Sequence, residues 1–256
     1  MNQHKGGQQG QAGQPGTRQP GTVQIYSVLL GMGALCTLAI VGVFEFTLPI
    51  IQQNRIAQRE AAILDVLPGA TSSQTFDLGA DNKSFDVPAD PNAAGQPIYA
   101  GYDDDGNLVG LAIEASRMGY QDVIRMLYGY SPDRDAVIGT RVLESRETPG
   151  LGDRIEKDEA FLANFEALDV SVDQDSKQLR NKIEFVPSGE KTQPWQIDGI
   201  TGATISSSTV AEMLRESTSQ WVPLLKSRRN DFESGSVSGV QTESVPESES
   251  APEGEQ

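Results

Sequence analysis

The chain has 256 residues, 22% of them charged and 37% hydrophobic, with 36 Asp and Glu against 20 Lys and Arg for a formal net charge of -16. That imbalance argues against a nucleic-acid binder, because phosphate neutralisation needs a basic surface. One cysteine, Cys36, and one histidine, His4, exclude an intrachain disulfide, a cysteine-ligated cluster, a Cys/His zinc site and a Ser-His-Asp or Cys-His hydrolase.

Residues 1–22 hold six Gln and six Gly with Lys5 and Arg18 as the only charged side chains, a composition expected to be a disordered tail. Val23 to Phe44 carry no charge and are rich in Leu, Ile, Val, Gly and Ala. As a helix that run is roughly 33 Å long, enough to cross a bilayer. A cleaved signal is disfavoured, since small residues do not follow it; Glu45-Phe46-Thr47-Leu48-Pro49 does. Cys36 is expected to pack as a thiol inside the span. Lys5 and Arg18 on one side against Arg55 and Arg59 on the other leave orientation undecided by charge.

Residues 45–70 read as a juxtamembrane helix, with Ile56, Ile63, Leu64 and Leu67 near helical spacing and Pro68-Gly69 at its end. Thr71 to Gln96 is polar and loop-like. Pro97–Tyr102 and Leu108–Glu114 are β-prone runs around Asp103-Asp104-Asp105-Gly106-Asn107. A calcium loop fails there, because Gly101 and Ala112 fall where carboxylates are required, so a hairpin turn is expected. Val123–Tyr130 and Ala136–Leu143 read as further strands, Glu159–Leu168 as a helix and Gln178–Val186 as a strand. Val210, Met213, Leu214, Trp221, Leu224 and Leu225 mark an amphipathic helix over Ser207–Lys226, interrupted or kinked near Pro223. The expected fold class is α+β: one N-terminal transmembrane helix, then a mixed, mainly antiparallel sheet domain over 71–230 with flanking helices. From 231 to 256, seven acids and no base among Ser, Gly and Pro predict an acidic disordered tail. A Rossmann phosphate loop is not supported, since Gly150-Leu151-Gly152 lacks its third glycine.

Two segments carry candidate chemistry. In Glu147-Thr148-Pro149-Gly150-Leu151-Gly152-Asp153 the glycines permit close approach of the main chain to a flat ligand, although a plain structural turn reads equally well. In Asp198-Gly199-Ile200-Thr201-Gly202-Ala203-Thr204, Gly202 and Ala203 leave little bulk beside Thr204, and a helix follows. Its free N–H groups would favour a phosphate oxygen; ordinary N-capping by a Ser or Thr is the competing explanation.

The pair ETPGLGD and DGITGAT, about 50 residues apart behind a single anchor, together with GYQDVIRMLYGY and VIGTRVLESRETPGLGDRIE, resembles the flavin-binding subunits of bacterial respiratory complexes. The G subunit of the Rnf electron transport complex is the nearer pattern, with Asp153 after the glycine pair; the C subunit of the sodium-translocating NADH:quinone reductase is related. The resemblance implies FMN joined through its phosphate to the second threonine of the motif, here Thr204, by a dedicated flavin transferase. It places Asp198 at the upstream aspartate and Thr201 at the first hydroxyl position, beside Gly202 and Ala203. It implies that Glu147 to Gly152 packs on the isoalloxazine, with Thr148, Gly150 and Leu151 as contacts. It further implies an electron-transfer subunit of an ion-translocating ferredoxin:NAD oxidoreductase, in the bacterial inner membrane with its domain outside the cytoplasm. No catalytic acid or base and no metal are expected, since a flavin carries the chemistry itself. The alternatives are the FMN-carrying quinone-reductase subunit and a tethered flavin-binding scaffold without electron transfer.

Overall fold

The computed structural model describes residues 21–79, 85–88, 97–174 and 177–233; the expected N-terminal tail and nearly all of the acidic one lie outside them. The chain divides between Arg55 and Ile56 into two compact units. Helix α1 runs Thr22–Val66. Its stretch Leu29–Ile51 is long and apolar enough to cross a membrane by length and composition, extending past Glu45 beyond the span read from the charge-free run. Leu30, Leu38, Ile40 and Phe46 along it are exposed. Pro49 lies within the helix and does not end it.

The second unit is built on a seven-stranded antiparallel sheet in the order β2-β1-β3-β4-β5-β6-β7. The strands are β1 Ser72–Leu78, β2 Phe85–Asp86, β3 Ile98–Tyr102, β4 Leu108–Met118, β5 Val123–Ser131, β6 Ala136–Glu144 and β7 Leu168–Asp169. Period-two alternation sends Ile98, Leu111, Ile113, Ile124, Met126, Tyr128 and Tyr130 into the main core. Tyr99, Ala112 and Leu127, one residue out of phase, face a second core formed with Ala62, Ile63, Val66 and Leu67. Both faces of the sheet are therefore covered, which explains why the strand sequences are more apolar than a half-exposed sheet requires.

The second core depends on an absence of side chains. A Cβ at Gly129 of β5 would collide with the Val66 carbonyl oxygen, and one at Gly139 of β6 would lie 2.8 Å from the same atom. Only glycine lets the helix end approach the strands so closely. Pro68, which has no N–H, and Gly69 at φ +100° then turn the chain out of the helix toward β1.

The main core is closed by α3, Thr204–Ser227, which buries Val210, Ala211, Met213, Leu214, Trp221, Val222 and Leu225. Each large apolar side chain so buried contributes about 1.5–3 kcal/mol. The helix continues through Pro223 to Ser227, so the expected interruption does not occur. The short helix α4, Arg229–Glu233, takes in the first three residues assigned to the acidic tail. Phe232 is fully buried against Phe76 and Phe85, each ring pair 5.0 Å apart, and the Tyr102 hydroxyl donates to its carbonyl at 2.7 Å.

Local expectations change in three places. Thr71–Gln96 contains β1 and β2: β1 is a polar strand near the sheet edge with only Phe76 fully buried, so backbone pairing with β3 rather than alternation defines it. Glu159–Leu168 divides into α2 (Glu159–Leu162), a 3-10 turn at Ala163–Phe165 and the start of β7. Of Gln178–Val186, only β8, Glu184–Val186, is strand, parallel to β9, Gln196–Asp198.

Candidate functional site

The two sequence segments meet at one end of the domain, around a cavity of about 310 Å³. It is lined by Glu147, Thr148, Leu151 and Gly152 from the loop after β6, by Gly202 to Ser206 at the start of α3, and by Tyr120 from the β4–β5 turn. Loop and helix are separated by tens of residues in sequence; the sheet and α3 bring them together.

Glu147 ties the three segments. Its side chain is 5% exposed, and its Oε1 accepts the Gln121 backbone N–H at 3.0 Å. Its Oε2 accepts from the Ser206 hydroxyl on α3. Thr148 adds a second link, donating from Oγ1 to the Gln121 side-chain carbonyl at 3.0 Å. The two glycines of the loop serve different ends. Gly150 has φ +78° and nothing close to its missing Cβ, so it makes a turn, and its N–H donates to Asp153 at 2.6 Å. Gly152 makes room: a Cβ there would lie 2.5 Å from Glu147 Oε2 and 2.8 Å from Ser206 Oγ. The Lys157 ammonium, 2.7 Å from Asp153, holds that carboxyl below its ordinary range.

At the helix start, Ala203 occupies the N-cap and no side chain caps the first turn. Capping by a neighbouring hydroxyl, the competing explanation for the Ser/Thr-rich start, does not occur: Ser207 Oγ donates instead to the Ala203 carbonyl at 2.9 Å. Thr204, the first helical residue, is exposed and its hydroxyl has no partner among the described residues. First-turn N–H groups without a side-chain partner, together with the positive end of the dipole, favour a phosphate there. Gly202 takes φ +86°, the left-handed conformation that turns the chain into the helix.

Thr148, Leu151, Glu147, Gly202, Ala203 and Thr204 thus share one cavity, and Gly150, Thr201 and Asp198 are not in its lining. Thr201 is adjacent, its carbonyl accepting from Arg154 at 2.8 Å. Asp198 ends β9: its carboxylate accepts the Gly189 N–H at 2.7 Å, and its main chain is clasped by buried Asn164, which accepts the Asp198 N–H and donates to the Asp198 carbonyl. The Lys191 ammonium also donates to Asn164 and is pushed down by burial, with Asp198 opposing the shift. Arg146 faces Asp122 and Glu144, so neither cation turns into the cavity. Ser206 and Asn164 carry no motif signal of their own, and Tyr120, within GYQDVIRMLYGY, is not marked as a site residue by that segment; their roles appear only once the turn, the loop and the helix are juxtaposed.

The residues present suit a flavin mononucleotide. Exposed Tyr120, Leu151 and Ile205 offer apolar surface for a flat ring, and the uncapped helix start offers N–H donors for a phosphate. Among the described residues no group of His, Cys, Asp and Glu is arranged to hold a metal.

Comparison with known proteins agrees. The FMN-binding domain family matches residues 119–219. The G subunit of the ion-translocating oxidoreductase complex from Haemophilus influenzae (strain 86-028NP) is 39% identical over 143 residues, covering 54% of this chain and 66% of that protein, so the match spans just under two thirds of the relative. The corresponding Pasteurella multocida protein is 28% identical over 75% of this chain and 90% of its own length. The crystal structure of the C subunit of the Na(+)-translocating NADH-quinone reductase from Parabacteroides distasonis superposes with a TM-score of 0.53 over 68% of this chain and 94% of that one, at 21% identity, and shares its fold. Residues 119–219 thus match the FMN-binding domain family, and the chain is similar to G subunits of ion-translocating oxidoreductase complexes.

Proposed function

We propose that this protein is a membrane-anchored electron-transfer subunit of an Rnf-type ion-translocating complex, holding FMN covalently by a phosphodiester to Thr204. The observation that carries the reading is the Thr204 hydroxyl, exposed and unpartnered among the described residues at the uncapped start of α3, on the edge of a cavity with apolar walls. FMN bound there would supply reversible one- and two-electron chemistry. This chain's part is to fix and shield it. The first turn of α3 holds the phosphate, Tyr120, Leu151 and Ile205 flank the ring, and the Glu147 tie keeps loop and helix in register.

The linkage would be an ester between Thr204 Oγ1 and the FMN phosphorus, formed as the transferase breaks the phosphoanhydride of a flavin dinucleotide donor, the threonine proton going to solvent and the nucleoside monophosphate leaving; the adduct keeps one negative charge for the helix start to hold. An exposed acceptor is also what a separate flavin transferase needs. The apolar stretch of α1 is the anchor, and we assign the domain to the extracytoplasmic side, where a tethered cofactor cannot be lost by dissociation. The electron partners are the other subunits of the complex.

The test is coexpression of the full chain with the transferase. Wild type and Thr204→Ser, which keeps a hydroxyl, are expected to show flavin fluorescence after denaturing electrophoresis; Thr204→Ala shows none. Fluorescence in Thr204→Ala would overturn the assignment. Electron flow through an assembled complex containing Thr204→Ala would favour the scaffold reading.

A further inference from the structure

We propose that Glu147 sets the redox potential of the flavin at Thr204, holding it low by placing a fixed, buried negative charge in the cavity wall with no ion-pair partner among the described residues. The inference rests on the FMN reading above.

Of the ten residues that line the cavity, Glu147 is the only Asp, Glu, Lys, Arg or His; Tyr120 is the one other titratable group. The carboxylate is 5% exposed, so water screens it weakly. Its position is fixed from both sides, by the Gln121 N–H at 3.0 Å and by the Ser206 hydroxyl. Nearby cations are engaged elsewhere. Arg154 donates to Asp158 at 2.6 Å and to the Thr201 carbonyl, Lys157 pairs with Asp153 at 2.7 Å, and Arg146 lies 3.5 Å from Asp122.

Reduction adds an electron to the ring, taken from a one-electron centre of a donor protein that is oxidised in the same step; any proton that follows comes from solvent. The added charge is repelled by a fixed carboxylate in the same low-dielectric wall, so the oxidised form is favoured and the potential falls. Glu147 takes no part in bond making. It is a positioning and tuning residue, which distinguishes its role from that of Thr204.

The experiment is a mediated spectroelectrochemical titration of the full-length flavinylated protein in detergent, with flavin occupancy measured on the same samples by intact mass. In Glu147→Gln, which removes the charge and keeps the shape, the reduced-to-oxidised ratio at a fixed poise is expected to rise about tenfold, about 59 mV for a one-electron step. Glu147→Asp, which keeps the charge, should stay near wild type. Should Glu147→Gln fail to take up flavin, Ile205→Lys, which leaves the Glu147 tie intact and sets a cation on the exposed cavity rim, must raise the ratio in the same direction. An unchanged potential in flavin-loaded Glu147→Gln, or in Ile205→Lys where the first cannot be loaded, overturns this inference and leaves the FMN assignment standing. Wild type without flavin on Thr204 overturns both.

Discussion

The two glycines of the 147–153 loop should respond differently to the same substitution. In Gly152→Ala the new methyl would lie 2.5 Å from Glu147 Oε2, 2.7 Å from Glu147 Cβ and 2.8 Å from Ser206 Oγ. None of these atoms can yield freely, because the carboxylate is held by Gln121 and Ser206. Overpacking of this kind costs about 1–3 kcal/mol. In Gly150→Ala nothing crowds the methyl, but φ +78° disfavours an L side chain; that penalty is about 1–2 kcal/mol. Thermal unfolding followed by circular dichroism should show both, at about 2–4 °C per kcal/mol for a domain of roughly this size. Stability alone will not separate them. Hydrogen exchange at the Gln121 amide will, since that N–H is protected by the Glu147 carboxylate: Gly152→Ala should accelerate it and Gly150→Ala should not. Unchanged Gln121 protection in Gly152→Ala, with a midpoint within about 1 °C of wild type, would refute the claim that Glu147 ties loop, turn and helix.

Other outcomes follow from the packing. Phe232→Ala removes a ring packed on Phe76 and Phe85 and should cost about 3–5 kcal/mol in chemical denaturation; no measurable loss would show that α4 is not part of the folded domain. Gly129→Val drives a branched side chain into the Val66 carbonyl and should release the end of α1 from the sheet, seen as new proteolytic cleavage between residues 59 and 70. Burial pushes the Tyr102 phenol up to about 12. A raised value favours the neutral form in the fold, so the stability it gives is complete below pH 10 and is lost as pH climbs toward 12. Tyr102→Phe should lower stability at pH 8 by about 0.5–1.5 kcal/mol through the lost bond to the Phe232 carbonyl, and should flatten the alkaline decline; an identical decline in the variant would contradict that origin.

The framework was legible in the sequence wherever burial imposes a period. The hairpin strands β3 to β6 are apolar, β-prone runs set off by turn residues, and α3 repeats its apolar residues at helical spacing, so both were readable. β1 was not, since Ser72, Ser73, Gln74 and Thr75 are held by backbone pairing to β3, which leaves no mark on side-chain polarity. The expected helix over Glu159–Leu168 is shorter in the structure because apolar Phe161, Phe165 and Leu168 serve a turn packed into the core rather than a continuous helical face. At the candidate site, local motifs single out Thr204 and the 147–152 loop, segments that the structure brings to one cavity. They did not reveal Ser206 as the partner of Glu147, or Asn164 as the clasp on Asp198, because these contacts join segments 59 and 34 residues apart. Asp198 holds the upstream aspartate position of the motif, and its carboxylate accepts the Gly189 N–H.

The most direct measurement is peptide mapping of the protein purified from its own membranes. Trypsin should release residues 192–215 as one peptide containing Thr204. That peptide is expected to carry the mass of FMN less water, with fragmentation placing the addition on Thr204. An unmodified 192–215 peptide, or a flavin found on any other residue, would contradict the account.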